Sequence, residues 1–542
     1  MSPRKKTVSS LCETIPVAIL PSDERCRKQK YVKLGSGSLH DDPTFIESSP
    51  KRQDSRREAR RDHDRIYYTS AWRRLAGVTQ VISPEHEETP LHNRMTHSEK
   101  VALAAWSIAS NIISSADEDK KMLVAKLGGM DLDMAATAAL AHDLGHAPFG
   151  HIGEEELDNW AAEHGLMDGF EGNAQTFRIV TRLARWSNHD SGLKLTLGTL
   201  TAIAKYPWVR GANIKSLDDL PADYDERREE LERRRRDGAV NTDYRRYWRK
   251  YGAYFSERIL LQKARSWMPK YFPTGSSMGL SQSLEASVMD CADDIAYAVH
   301  DLEDFADSDS FDFDRIRDDC TRWCKGSKSA SSWCDRVKKK LEEDYPERFN
   351  SNDYDKAVVW LVGALDIADL VASDDKRRRK GTQERRQARR TTEFLGTFLD
   401  ADQFVINNEP QWSHGPLLTM TSTNWHRVNL LKAITMDAVV NSPLVSAHQI
   451  SARKVVRDLA DGLYDWVRMA EKADKDELPG LPHELRAMLL TYEEEGSKIK
   501  RTAADNARCI IDYICFLSDH SVRALAARLN GQGTNALVGT IL

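Results

Sequence analysis

No apolar run in this 542-residue chain approaches the ~20 residues needed to cross a bilayer, so a membrane-spanning protein is excluded as an expectation. Charge of one sign is also lacking. Lys and Arg number 78 against 83 Asp and Glu, a net charge of −5, so any basic surface for nucleic acid must be local. Eight cysteines are too few for a disulfide framework in a chain this long, which points to a reducing cytoplasm. Cys320, Cys324 and Cys334 lie close together, but not as C-x-x-C and with no histidine nearby, so scattered thiols are favoured over structural zinc. The N-terminal MSPRKKTVSS is basic without an apolar stretch behind it, a poor secretion signal; a cytoplasmic location is expected. Sustained apolar alternation bounded by turn residues is missing too, and with it the signature of strands.

What is present is helical periodicity. Residues 1 to about 60 are polar and are expected to form a flexible N-terminal tail. Beyond Ile66, Leu75, Val78 and Val81, then Val101, Leu103, Ala104, Trp106 and Ile108, recur at helical spacing. Asp131 to Leu144 is an Ala-rich apolar helix, and helices return from Ser422 to the C-terminus, including Ala452 to Ala470 and Arg501 to Leu529. Two charge-dense stretches interrupt the pattern. Asp223 to Arg236 reads as an exposed helix within an insertion near 215–245. Lys376 to Arg390, within an insertion near 374–392, is strongly basic; a solvated face is favoured over a nucleic-acid contact. The expected organisation is a tail (1–60), a catalytic core (61–310) and a helical C-terminal region (311–542) that completes the site and supplies oligomer contacts.

Imidazoles and carboxylates concentrate in three segments: His92 to Ser98, Ala141 to Glu154, and Ala292 to Asp301. In the second, His142 and Asp143 close an apolar helix, and Gly145, Pro148 and Gly150 force an irregular loop. A neutral imidazole with a carboxylate suits a borderline divalent metal, but two ligands hold it loosely. His97 and an aspartate of the third segment are the candidates to complete the set. There, Asp293, Tyr297 and Asp301 are four apart and share one helix face, while Asp294 lies on a neighbouring face; spacing alone leaves both aspartates open. Taken singly, a His-Asp pair at a helix end is a cap and Arg94 a surface ion pair. With His146, His151 and Glu154 within twelve residues, a functional reading outweighs the structural one.

At these residues the sequence resembles the HD superfamily, whose signature is His…His-Asp…Asp around a metal. It is most similar to the deoxyguanosine triphosphate triphosphohydrolase-like branch. The resemblance rests on R-R-L-A-G-V-T-Q-V (73–81), H-N-R-M-T-H-S (92–98), A-H-D-L-G-H-A-P-F-G-H-I-G-E (141–154) and E-G-N-A-Q-T-F-R (171–178). G-L-K-L-T-L-G-T-L-T-A-I-A-K-Y-P-W (192–208) and A-D-D-I-A-Y-A-V-H-D-L-E-D (292–304) continue it, with weaker matches at 441–449 and 512–519.

The resemblance implies an all-α fold, the HD-domain helical fold with additional C-terminal helices. It implies His97, His142, Asp143 and Asp293 as ligands of one divalent metal per site, Mn or Mg foremost and Fe, Co, Ni or Zn also accommodated. Tyr297 and Asp301 would hold the deoxyribose, with Gln80 near the sugar and Val81 against the base. Arg94, Lys205 and Tyr206 would face the triphosphate, and Asn173 would belong to the same pocket. His146, His151 and Glu154 would act at the scissile phosphate. The implied reaction is hydrolysis of a deoxynucleoside triphosphate, dGTP foremost, to a deoxynucleoside and inorganic triphosphate; whether His151 serves as acid, base or nucleophile stays open. A homo-oligomer, favoured as a hexamer, and regulation by single-stranded DNA are the implied partners. Competing readings are an HD phosphohydrolase acting on a nucleoside monophosphate or an alarmone, and a non-catalytic nucleotide sensor.

Overall fold

Asp131 starts the helix around which the rest is built. Its carboxylate accepts the backbone N–H groups of Asp133 and Met134 at 2.9 and 3.3 Å and is paired with the Arg57 guanidinium. The computed structural model describes residues 18–19, 29–32, 44–47, 56–80, 93–185, 192–211, 249–268, 281–306, 313–326, 332–377, 396–408, 416–440, 443–474, 477–494 and 501–532.

These residues are predominantly helical, as the sequence implied. Helices α1 (Glu58–Tyr67) and α2 (Ser70–Arg74) lead into α3 (Arg94–Ile113), α4 (Glu118–Lys126) and α5 (Leu132–Ala141). Then come α6 (His151–Glu163), α7 (Gly172–Arg178), α8 (Leu197–Ile203) and α9 (Arg258–Arg265). The long α10 (Leu284–Ala306) is followed by α11 (Phe313–Cys324), α12 (Trp333–Asp344) and α13 (Ser351–Arg377). The chain closes with α14 (Ser422–Val440), α15 (Pro443–Ala473), α16 (His483–Glu494), α17 (Ala503–Ile514) and α18 (Asp519–Leu529).

Strands do occur, contrary to the expectation from patterning. Antiparallel pairs join β1 (Ala18–Ile19) to β4 (Met130–Asp131), β2 (Gln29–Val32) to β3 (Thr44–Glu47), and β5 (Phe404–Ile406) to β6 (Leu418–Met420). At two to four residues each, they are too short for a period of two to register. Three of them fall in the polar segment expected as a tail, and β1 pairs with the strand that leads directly into α5. The charged stretch Asp223 to Arg236 lies outside the described residues, as does the basic run beyond Arg377.

Helix α5 is apolar on nearly every side, the mark of a helix at the centre of a bundle. It packs against α1, α3, α8 and α10, its alanines allowing close approach. A second apolar cluster sets Leu157 and Trp160 of α6 with Val456, Leu459 and Leu463 of α15, joined by side chains of α16 to α18. The turn between α5 and α6 runs along the seam, since Leu144 belongs to the first cluster and Ala147 and Phe149 to the second. Arg178 of α7 spans the same seam. It bonds Asp512 Oδ2 of α17 and Glu257 Oε1, each at 2.8 Å and fully enclosed. Among the described residues no helix is long and apolar enough to cross a membrane.

Candidate active site

Two helix ends and one helix face meet at this seam. Asn93 caps α3 through a reciprocal capping box with Thr96, which fixes Arg94 as the first helical residue and puts His97 one turn on. At the end of α5 the chain turns through His142, Asp143 and His146, and α6 opens with His151 and Glu154 in its first turn. The turn is tight. Phe149 and Gly150 have φ of 62° and 61°, and a Cβ on Gly150 would lie 2.9 Å from the Arg94 guanidinium. Gly145 is equally constrained, because a Cβ there would meet Thr176 N at 2.1 Å.

Ligand atoms of His97, His142 and Asp143 all lie within 4.8 Å of one another, and all three residues are buried. From α10, Asp293 Oδ1 reaches His97 Nε2 at 3.2 Å and His142 Nε2 at 3.5 Å. Asp294, left open by spacing, instead pairs with Lys432 of α14. His142 Nδ1 donates to Ala139 O at 2.6 Å, which directs the Nε2 lone pair toward the carboxylates. His142 Nε2 is 3.3 Å from Asp143 Oδ1. Ligands ~2.1 Å from a tetrahedral cation stand about 3.4 Å apart, so these donors fit one divalent ion. Burial works against charge on His142, but Asp143 and Asp293 carry it up to about 9. Asp143 and Asp293 are likewise desolvated, yet the surrounding cations hold both well below the usual carboxylate range: His142 and Arg94 for the first, Lys205 and His142 for the second.

Around this cluster stand cations. Arg94 Nη1 donates to Asp143 Oδ2 at 2.8 Å, while its Nε is buried with no hydrogen-bond partner. It is not the surface ion pair that its type alone suggested. Lys205, just past α8, lies 2.8 Å from Asp293 Oδ2 and 2.9 Å from Asp290 Oδ1. Tyr206 follows it and meets Trp208 at a ring separation of 5.6 Å. On the other side, His151 Nδ1 donates to Glu154 Oε2 at 3.1 Å, and the His151 side chain is 72% exposed. His146 is 3.1 Å from Asp143 Oδ1; burial, reinforced by Arg94, pushes its pKa down to about 3 and keeps it neutral.

The remaining expected residues divide. Asn173 Nδ2 donates to Glu171 Oε1 at 2.9 Å, and Tyr297 lies under the Lys432 ammonium, 5.7 Å from its ring centre. The backbone of Gln80 lies beside Gly150, and its side-chain Oε1 is buried without a partner. Asp301 sits on α10 two turns beyond Asp293, its side chain outside the described residues; Val81 lies outside them altogether. Reading the sequence missed several neighbours. Glu171 caps α7 through Asn173 N and Ala174 N and takes Lys250 Nζ at 3.1 Å. Arg74 donates to the carbonyls of Leu144, His146 and Leu517. Glu171 and Arg74 both stand inside quoted motifs, which was the one available signal; nothing in the sequence marked Lys250 or Asp290. The cysteines show no metal grouping among the described residues: Cys320 and Cys334 are buried with sulfurs 3.6 Å apart, and Cys324 is exposed.

Comparison with known proteins agrees with this geometry. The HD domain model matches residues 94–192, and the phosphohydrolase-associated domain model matches residues 418–528. A deoxyguanosinetriphosphate triphosphohydrolase-like protein of Streptomyces coelicolor is 28% identical over 507 residues, 89% of this chain and 95% of that protein. One of the same description from Corynebacterium efficiens is 34% identical over 279 residues, 51% of this chain and 52% of the relative. A third, from Mesorhizobium japonicum and carrying the number 2, is 37% identical over 258 residues, 46% of each. The chain thus matches about half the length of the latter two relatives.

Proposed function

We propose that the chain, which matches the HD domain over residues 94–192, is a metal-dependent phosphohydrolase of the HD superfamily that hydrolyses deoxynucleoside triphosphates, dGTP foremost, to the deoxynucleoside and inorganic triphosphate. The observation that carries this reading is the meeting of His97, His142, Asp143 and Asp293 from three distant stretches, with Arg94 and Lys205 against their carboxylates. A divalent ion held by those four would polarise a phosphoryl oxygen and lower the pKa of a bound water.

The protein's own groups supply the rest. Arg94 and Lys205, each pinned by a carboxylate, present preorganised positive charge to the phosphate oxygens, and Lys250 adds to it from the Glu171 side. With Nδ1–H fixed on Glu154, His151 turns its opposite ring nitrogen to the leaving 5′-oxygen and supplies a proton there. His146, buried and neutral, contacts the phosphate without adding charge. Tyr297 packs against C2′ of the sugar and leaves no room for a 2′-hydroxyl, with Asp301 beyond it on the same face. The name that the relatives carry supports the guanine nucleotide as the first substrate to try.

The test is to incubate the purified chain with each deoxynucleotide and ribonucleotide triphosphate in Mg or Mn and to chromatograph the products. Inorganic triphosphate with a deoxynucleoside is the expected outcome. Pyrophosphate or orthophosphate as the sole inorganic product, or turnover only of a monophosphate or an alarmone, would overturn the reading.

A further inference from the structure

We propose that His146, His151 and Glu154 form a second divalent-cation site, suited to a borderline metal such as zinc, beside the cluster of His97, His142, Asp143 and Asp293. The ligand atoms of the three residues all lie within 4.8 Å of one another. His151 Nδ1 is 3.1 Å from Glu154 Oε2, and His146 Nε2 is 3.5 Å from Glu154 Oε1. Those separations bracket the ~3.4 Å expected between ligands of a tetrahedral ion. Two imidazoles and one carboxylate are a donor set that holds catalytic zinc and leaves a position open.

A second observation points the same way. Glu154 Oε1 is a buried atom with no hydrogen-bond partner, in a residue only 8% exposed. A buried polar atom left unpaired is costly, and a bound cation removes that cost. Gly172 keeps the space in front of that oxygen open, since a Cβ there would lie 2.4 Å from Glu154 Oε1. The exposed His151 gives the third donor a path to solvent, so the ion can load without unfolding the turn.

A cation shared by His151 and Glu154 replaces the proton that now lies between them. His151 is then fixed as a ligand and no longer delivers a proton, so excess zinc inhibits. This consequence rests on the hydrolase reading; the site itself does not.

Equilibrium dialysis of the full chain against zinc chloride tests it, alongside His151→Ala and Glu154→Gln. Circular dichroism checks the fold of each variant, and His151 is exposed enough for its loss to be tolerated. The native chain is expected to bind one zinc more than either variant, and added zinc to slow turnover supported by Mg or Mn. Equal zinc counts in the native chain and both variants would overturn the site. A count one higher with turnover untouched by zinc would overturn the inhibition. The extra ion in a chain that hydrolyses no nucleotide would support the site and sink the hydrolase reading instead.

Discussion

Asp519 Oδ1 accepts the backbone N–H of Phe149 at 2.9 Å, joining residues 370 positions apart. Its other oxygen takes Thr79 N at 2.9 Å and the Thr79 hydroxyl at 2.5 Å. One carboxylate at the start of α18 therefore clamps both backbone segments that flank Arg94 and His151. It does so at the residue whose positive φ makes the turn possible.

Replacing that carboxylate should loosen the turn. Asp519→Ala leaves three buried donors unpaired, and each such loss costs ~1–3 kcal/mol before relaxation. We expect a net destabilisation of about 2–4 kcal/mol in urea unfolding. Asp519→Asn, which keeps an acceptor for one segment only, should fall between Ala and the native chain. Unchanged midpoints would show that the clamp carries no stability.

Arg74 ties the same turn from below. Its guanidinium donates to Leu517 O at 2.8 Å, Leu144 O at 3.1 Å and His146 O at 2.5 Å. Lysine cannot reproduce that fork, so Arg74→Lys should lose about 1–3 kcal/mol despite keeping its charge. A thermal scan indistinguishable from native would count against this account.

Removing the proposed metal ligands should abolish turnover without unfolding the chain. For Asp143→Ala we expect a drop on the order of 100-fold or more in kcat, together with loss of one tightly held Mn in equilibrium dialysis. EDTA should stop the native reaction, and Mn should restore it. Full activity in Asp143→Ala would remove the basis of the proposed function.

Gly172 offers a cleaner probe of Glu154. Gly172→Ala places a methyl group 2.4 Å from Glu154 Oε1, so the carboxylate must shift from the position in which it holds His151. A displacement near 1 Å at a catalytic group costs on the order of 100-fold in rate, and kcat should fall by about that much while the unfolding midpoint shifts little. A normal kcat would mean that the orientation of His151 by Glu154 is dispensable.

Sugar discrimination should reside in Tyr297. Tyr297→Ala opens space at C2′, and the kcat/KM preference for deoxy over ribo substrate should narrow by about 10-fold or more. An unchanged ratio, measured with dGTP and GTP, would move the discrimination elsewhere.

Local order was legible in the sequence. The helical class, the Ala-rich helix that ends at His142 and the sharp turn after Leu144 follow from side chains close together in the chain. So does the facing of Asp293 and Tyr297 along α10, because a helix puts every fourth residue above the last. Resemblance carried the ligand set further than spacing could, since adjacent aspartates differ by about 100° around a helix axis.

Only the tertiary structure turned Asp293 toward the imidazoles and gave Asp294 to Lys432 of α14, 138 residues away. The clamp by Asp519, the fork of Arg74 and the pairing of Glu171 with Lys250 were invisible for the same reason: each joins groups separated by 70 to 443 positions. The short strands escaped because backbone hydrogen bonds join them, and every residue except proline carries the same donor and acceptor. What lies within a turn or two of helix was written in residue order; what depends on which helix ends meet was decided by packing α5 and α6 into two different cores.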